Sequence, residues 1–325
     1  MSTRIAVIGC GHAGRRHIEV LSAGTPFELA AVCDIDEAAR AAVKLPVPAF
    51  KSIGGLLSSG IEFDAASIAT PNGLHETHAI ALLQAGKHVI IEKPMGLSAT
   101  SCQRIINEAE KNNKQAFCIL QIKFSPVARW LKQLVEKGIP GRIFMVQVNC
   151  FWNRNERYYK PGGWHGTLQM DGGTLYTQFS HYIDLLYWLF GDVKNVSGKI
   201  STFRNGNITE IEDTGTVSWE FVNGGLASFN FSTAVKDSNL ESNLTIIAEN
   251  GTVKIGGQYM NQVQYCNFPL SNLEAPPVAD NTNYHHAFFA DAANAMQQGL
   301  NSGSNAKEAM KVVGIIENIY SSCRQ

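Results

Sequence analysis

The turn Gly9-Cys10-Gly11-His12-Ala13-Gly14 limits what this chain can fold into more than any other stretch. It follows directly on an apolar run at 4–8 and opens an amphipathic segment at about 13–23, so it reads as a buried strand reversing into a helix. A second apolar run, 27–33, ends on Asp34, which lies 20 residues beyond Gly14 (34 − 14). Each part has a physical task. Glycines let the backbone turn tightly and let a pyrophosphate approach, the helix N-terminus meets its charge, and an acid at the next strand's end accepts hydrogen bonds from a ribose diol. Gly9, Gly11, His12, Ala13, Gly14 and Asp34 are the expected cofactor-binding residues. Asp34 would repel a 2′-phosphate, so NAD is expected over NADP, although Arg15 and Arg16 keep NADP open. An ordinary glycine-rich turn is the competing reading; the strand, helix and acid around it weigh against that.

Strand and helix signals then alternate as a doubly wound parallel sheet requires. Strands are expected at 65–69, 87–91 and 116–120, with helices at 74–84 and 98–112, the latter capped by Ser98. Thr70-Pro71-Asn72 closes one strand at the same sheet edge as Gly9 and Asp34, the edge where open α/β sheets bind ligands. Asn72 suits either a cofactor contact or an Asx turn opening the next helix. At that edge Val89-Ile90-Ile91 delivers Glu92 and Lys93 and stops at Pro94, which bars Lys93 from the helical region. Lys93 is therefore stiffly placed at a strand mouth, as catalysis needs, or is one half of an exposed charged pair.

Beyond about residue 122 the pattern changes. With 325 residues the chain exceeds what one core usually serves, and a split into 1–122 and 123–325 is expected. A helix at 126–137 and a strand at 142–150 precede period-two strands at 196–202, 213–221, 226–233 and 241–248. Asn250-Gly251 turns the last of these into 252–255, and helices at 285–298 and 306–322 finish the chain. The fold class is α/β: an N-terminal Rossmann doubly wound parallel sheet plus a C-terminal α+β domain with a large, mostly antiparallel open sheet.

Between these elements lies the aperiodic stretch 151–166, rich in aromatics and carrying Arg154, Arg157 and Lys160. Long aperiodic loops in compact domains are usually functional or disordered, and this aromatic content argues against disorder. Aromatic faces with cations suit a sugar ring joined to a phosphate or carboxylate, and equally an oligomer contact. The segment 171–184, read as a helix, puts Thr177, His181 and Asp184 on one face.

The balance of the chain excludes several roles. A net charge of −1 supplies no field for nucleic acid, and no stretch is apolar enough to span a membrane. The seven scattered cysteines form neither a disulfide framework nor a zinc motif, so no metal is expected and the cytoplasm is the expected compartment. No targeting segment is visible ahead of 4–8.

Taken together, Thr70-Pro71-Asn72 with His75, Ala85-Gly86-Lys87-His88-Val89 and Glu92-Lys93-Pro94 resemble the glucose–fructose oxidoreductase and inositol dehydrogenase (Gfo/Idh/MocA) family over essentially the whole chain. The resemblance implies hydride exchange between a nicotinamide and a sugar-like hydroxyl, and a homodimer or homotetramer formed through the C-terminal sheet. It implies that Thr70, Pro71, Asn72, His75, Glu92 and Gln121 serve the cofactor, with Glu92 beside the nicotinamide ribose and Lys93 reaching both cofactor and substrate. His181 matches the family's catalytic histidine. An acid often stands four residues before it, where this chain has Thr177, which cannot serve as a carboxylate partner; His181 then works alone or with Asp184 as its orienter. Lys123 stands where an arginine is common. Arg157-Tyr158-Tyr159-Lys160-Pro161-Gly162, Trp164-His165-Gly166-Thr167, Asp171-Gly172-Gly173 and Gln178 look most like the UDP-N-acetylglucosaminuronate 3-dehydrogenases. On that resemblance Lys93, Lys123, Arg157, Tyr158, Tyr159, Trp164, Thr177, Gln178 and His181 would meet a sugar or nucleotide-sugar substrate. Lys93 and His181 would be catalytic.

Overall fold

Six parallel strands build the first sheet: β1 (Thr3–Ile8), β2 (Phe27–Cys33), β3 (Ala49–Phe50), β4 (Ala65–Ile68), β5 (His88–Ile91) and β6 (Ala116–Cys118). Their order, β3-β2-β1-β4-β5-β6, is that of a doubly wound sheet, and it reverses between β1 and β4. The computed structural model describes residues 3–269, 275–278, 284–299 and 305–323. Ile5, Ala6 and Val7 of β1 and Val89, Ile90 and Ile91 of β5 are all fully buried. Unbroken burial of successive residues means that both sheet faces are covered, which is why these strands read as solid apolar runs. Ser98 caps the helix Ala99–Lys111: its Oγ accepts from Ser101 N (3.0 Å) and Ser101 Oγ accepts from Ser98 N (3.2 Å).

The second sheet is larger. Its strands are β7 (Ile143–Phe151), β8 (Val193–Ser201), β9 (Thr214–Phe221), β10 (Leu226–Ser232), β11 (Glu241–Ala248), β12 (Gly251–Gly256) and β13 (Gln262–Cys266). They run β13-β12-β11-β7-β10-β9-β8, antiparallel throughout except where β7 meets β10. Burial alternates along them. Val146, Val148, Trp219, Phe229, Phe231 and Ile246 face a core, against which Phe179 packs its ring on Trp152 (5.1 Å) and Phe231 (5.7 Å). The opposite face is open. A row of exposed apolar side chains, Leu226, Met145 and Ile247, crosses its three central strands in register.

The chain forms two compact units. The first extends to Leu120 and takes in the helix Tyr284–Gln298 and the chain as far as Val313; the second begins at Gln121 and includes the chain from Gly314. The two-residue β3, the short helices Glu37–Ala41 and Ile53–Leu57, and β13 carry too little periodicity to be legible in sequence. The segment expected as one helix over 171–184 differs in kind. Asp171 lies in a turn, Leu175–Phe179 is π-helical, and the α-helix proper is Ser180–Phe190. Among the described residues no helix is long and apolar enough to cross a membrane.

Candidate active site

The glycine turn is built by two close approaches and one opening. A Cβ on Gly9 (φ +95°) would sit 2.5 Å from Ala69 O, and one on Gly14 would sit 1.8 Å from Gly9 O. Those two glycines let strand and helix pass each other. A Cβ on Gly11 would meet nothing within 4 Å, so there the backbone faces space that a bound group can enter. The helix His12–Ser22 starts at Gly11 with no side-chain cap and no acid in its first turn, leaving its first N–H groups for an anion. Asp34 accepts from Cys10 N through Oδ2 (2.6 Å) and from Asp36 N through Oδ1 (2.8 Å). The carboxylate is thereby fixed beside the turn, and each oxygen keeps a lone pair for a diol. Arg40, which no sequence motif marks, holds the Asp34 carbonyl (2.6 Å). This set fits a dinucleotide.

At the mouths of β4 and β5 the side chains brace one another. Thr70 Oγ1 pairs with His78 Nδ1 (3.0 Å) and Asn72 is buried at the start of a 3-10 turn behind Pro71. His75 is fully buried, with Nδ1 2.8 Å from Pro94 O and Nε2 2.8 Å from Thr70 O. Burial depresses its pKa, and the neutral ring donates its single N–H to one of these two main-chain carbonyls, between the Thr70 and Pro94 loops. The Lys93–Pro94 peptide is cis.

Glu92 is the hub of this edge. Its Oε2 accepts from Lys93 N (2.9 Å), while Oε1 lies 3.0 Å from His17 Nε2 and 4.0 Å from His285 Nε2. Burial alone would raise the Glu92 carboxyl. The His17 hydrogen bond and the electrostatic influence of His17, His285 and Lys93 outweigh it and hold the group well below the usual carboxylate range. Ser67 Oγ meets His17 Nδ1 (3.0 Å); with that hydroxyl as donor, His17 carries its proton on Nε2 and donates to Glu92. Neither His17 nor His285 is marked by the sequence. Their ring nitrogens and a Glu92 oxygen lie within 4.8 Å of one another.

In the second unit the candidate residues gather around the π-helical turn. Gln178 holds both ends of its amide: Oε1 accepts from Arg154 Nε (2.9 Å) and Nε2 donates to Tyr158 OH (2.6 Å). Gln178 lies in the π-helical stretch, three residues before His181. His181 is half-buried. Thr177 donates its hydroxyl to a carboxylate oxygen of Asp171, whose other oxygen accepts Gly166 N (2.8 Å). A carboxylate does stand beside Thr177, delivered from six residues upstream. Burial, followed by the Asp171 charge, drives the Tyr158 phenol pKa upward. Tyr159 is a core residue, only 3% exposed, and burial pushes its phenol up to about 12. Trp164 stacks on His165 (3.8 Å), whose ring lies 4.3 Å from Tyr158, while Arg157 is exposed.

Lys123, read as a substrate contact, is 4% exposed, and its ammonium lies 3.1 Å from Asp184, read as a possible orienter of His181 and fully buried. Gln121 opens the same turn, Gln121–Phe124, with its Oε1 buried and, among the described residues, without a hydrogen bond.

Comparison with known proteins agrees with this architecture. The profile of an oxidoreductase family with an NAD-binding Rossmann fold (Gfo/Idh/MocA) matches residues 3–119, and the Gfo/Idh/MocA C-terminal domain matches residues 128–254. The WlbA dehydrogenase of Bordetella pertussis, solved with NADH and UDP-GlcNAcA, superposes with a TM-score of 0.91 at 30% identity, covering 100% of this chain and 97% of that one. The WlbA dehydrogenase from Chromobacterium violaceum, solved with the same two ligands, gives 0.88 at 32% identity over 99% and 94%. An inositol 2-dehydrogenase of Saccharopolyspora erythraea is 30% identical over 235 residues, 70% of this chain and 65% of its own length.

Proposed function

The chain belongs to the Gfo/Idh/MocA family of NAD-dependent oxidoreductases, and on that premise we propose that it oxidises a secondary hydroxyl of a nucleotide sugar, namely C3 of a UDP-N-acetylated hexuronate. The observation that carries this reading is the full-length likeness to two dehydrogenases that were both solved with NADH and UDP-GlcNAcA. Bound NAD supplies the hydride acceptor. The Lys93 ammonium holds the reacting hydroxyl and stabilises the alkoxide charge that develops, from a backbone pinned by Glu92 through its N–H. His181 takes the hydroxyl proton; imidazole suits a general base near neutrality. The remaining acceleration is positioning. The product is a 3-keto sugar, a substrate for amination in the synthesis of bacterial surface polysaccharide. We place the enzyme in the cytoplasm as a homo-oligomer, the exposed row Leu226-Met145-Ile247 supplying an apolar face for a second copy.

A second reading, a free-sugar or inositol dehydrogenase, draws on the inositol 2-dehydrogenase relative. The test is NADH absorbance of the purified protein, as isolated and after adding UDP-GlcNAcA. Formation of NADH, or tightly held NADH that an added 2-keto acid reoxidises, is the expected result. No change in NAD-replete protein would sink the nucleotide-sugar substrate and turn attention to inositols and free sugars. Reducing sugar released from a glycoside without net NADH would point to hydrolysis instead.

A further inference from the structure

Arg154 is a withdrawn cation with no acid for a partner among the described residues. Its backbone is clamped: its N–H donates to Thr233 O (2.8 Å) and its carbonyl accepts from Asn205 Nδ2 (3.2 Å). The guanidinium lies over the rings of Trp152 (4.8 Å) and Tyr158 (5.2 Å). Nε donates to Gln178 Oε1 (2.9 Å), and Nη1 donates to Asn153 O (2.6 Å) and Asn239 Oδ1 (3.3 Å). All three acceptors are neutral. Among the described residues no carboxylate comes within ion-pair distance, and both hydrogens of Nη2 remain uncommitted. Burial, the largest influence, pulls the guanidinium pKa down, as expected for a charge taken from water without compensation.

Beside it stands a second unused donor. Tyr158 OH accepts from Gln178 Nε2 (2.6 Å), so its own proton is available, and burial together with the Asp171 charge keeps the phenol protonated. Gln178, three residues ahead of His181, thus ties a guanidinium edge and a phenol O–H together. Two neighbouring donors, one of them charged, suit the two oxygens of a carboxylate.

We propose that Arg154, with Tyr158, is the specificity-determining pair of this site: it binds the carboxylate of a hexuronate and rejects the corresponding neutral hexose. This deepens the nucleotide-sugar reading and rests on it for the substrate's identity. A neutral hydroxymethyl group in the same place leaves the guanidinium without a counter-charge. Hydrogen bonds to charged groups contribute enough for roughly a 10- to 100-fold preference in kcat/KM for the acid.

The experiment compares kcat/KM for UDP-GlcNAcA and UDP-GlcNAc in the wild type, Arg154→Gln and Arg154→Lys. The expected result is a wild-type preference for the acid that collapses toward unity in Arg154→Gln, chiefly through KM, and is partly restored in Arg154→Lys, which keeps the charge without the fork. An equal loss on both substrates would overturn the proposal, because Arg154 would then hold the diphosphate shared by both, or only the loop. An unchanged preference would overturn it as well. If the wild type oxidises neither nucleotide sugar, that reading fails by itself. The same ratio is then measured as binding of free glucuronate against glucose by saturation-transfer NMR. Preference for the acid that Arg154→Gln abolishes supports the proposal; no preference in the wild type ends it.

Discussion

Lys123 and Arg154 are both cations of the second unit drawn out of water, and the fold treats them in opposite ways. Lys123 sits in the turn Gln121–Phe124 against Asp184 of the helix Ser180–Phe190, both at most 4% exposed and 3.1 Å apart. Its charge is answered within the protein. Arg154 meets aromatic faces, an amide oxygen, a carbonyl and an asparagine, and no carboxylate among the described residues. A buried charge closed on itself belongs to the scaffold, whereas one left open is set for something that arrives.

The sharpest way to break that contrast is Lys123→Met. It removes the ammonium that faces the buried Asp184 carboxylate and should cost about 3–5 kcal/mol in urea unfolding, while the double variant Lys123→Met/Asp184→Leu recovers most of it. A single variant as stable as the wild type would end the scaffold reading. Lys93→Ala should fail the other way: turnover falls by roughly 100- to 1,000-fold while thermal stability and NAD affinity, read by fluorescence titration, hold. Near-normal turnover would remove Lys93 from the mechanism.

Acid provides a third comparison, since the Glu92 cluster is charge closure that protons can undo. Burial depresses His285 and His88 from 6.5 to about 4, despite Glu92 acting the other way on His285. The folded state therefore binds fewer protons than the unfolded chain between those values. Stability is full above pH 6.5 and is lost as pH falls toward 4, at about 1.4 kcal/mol per pH unit for His285 and less for the half-buried, solvent-screened His88. Glu92, depressed instead, contributes stability above the ordinary carboxylate range and loses it only at pH values below this window. Denaturant unfolding at stepped pH should show the slope, and His285→Asn should flatten it. The smallest effect concerns Arg154→Met, which removes three neutral-acceptor hydrogen bonds but strands no charge. It should lower stability by only about 1–2 kcal/mol, well short of Lys123→Met.

The first sheet is legible in sequence because its strands are buried on both faces. Val89-Ile90-Ile91 reads as a strand because Pro94 stops it, and the glycine turn because a strand, a helix and Asp34 surround it. The helix Tyr284–Gln298 is visible as a helix, yet its return to the first unit is not, since nothing local says where a distant helix docks. His285 is hidden for the same reason. It reaches Glu92 across nearly two hundred positions of sequence, whereas His17 lies three residues beyond Gly14 and the buried side of that helix could have suggested it. Lys123 misleads because a lysine in a turn gives no sign of burial. Arg154 stands out in sequence only as one cation of an aromatic loop. What distinguishes it is the neutrality of its partners, a property of the fold and not of the loop's composition.

The π-helical stretch Leu175–Phe179 also sets the phase of the helix Ser180–Phe190 behind it. Each α-helical residue advances about 100° around the axis, so deleting one residue here to restore regular pitch would swing His181 by about that angle relative to Asp171 and Thr177. The histidine would survive in any alignment, with its neighbours and spacing to Asp184 intact, yet face a different direction. One extra residue therefore acts as a rotational key: motif and chemistry coincide only while the helix carries it.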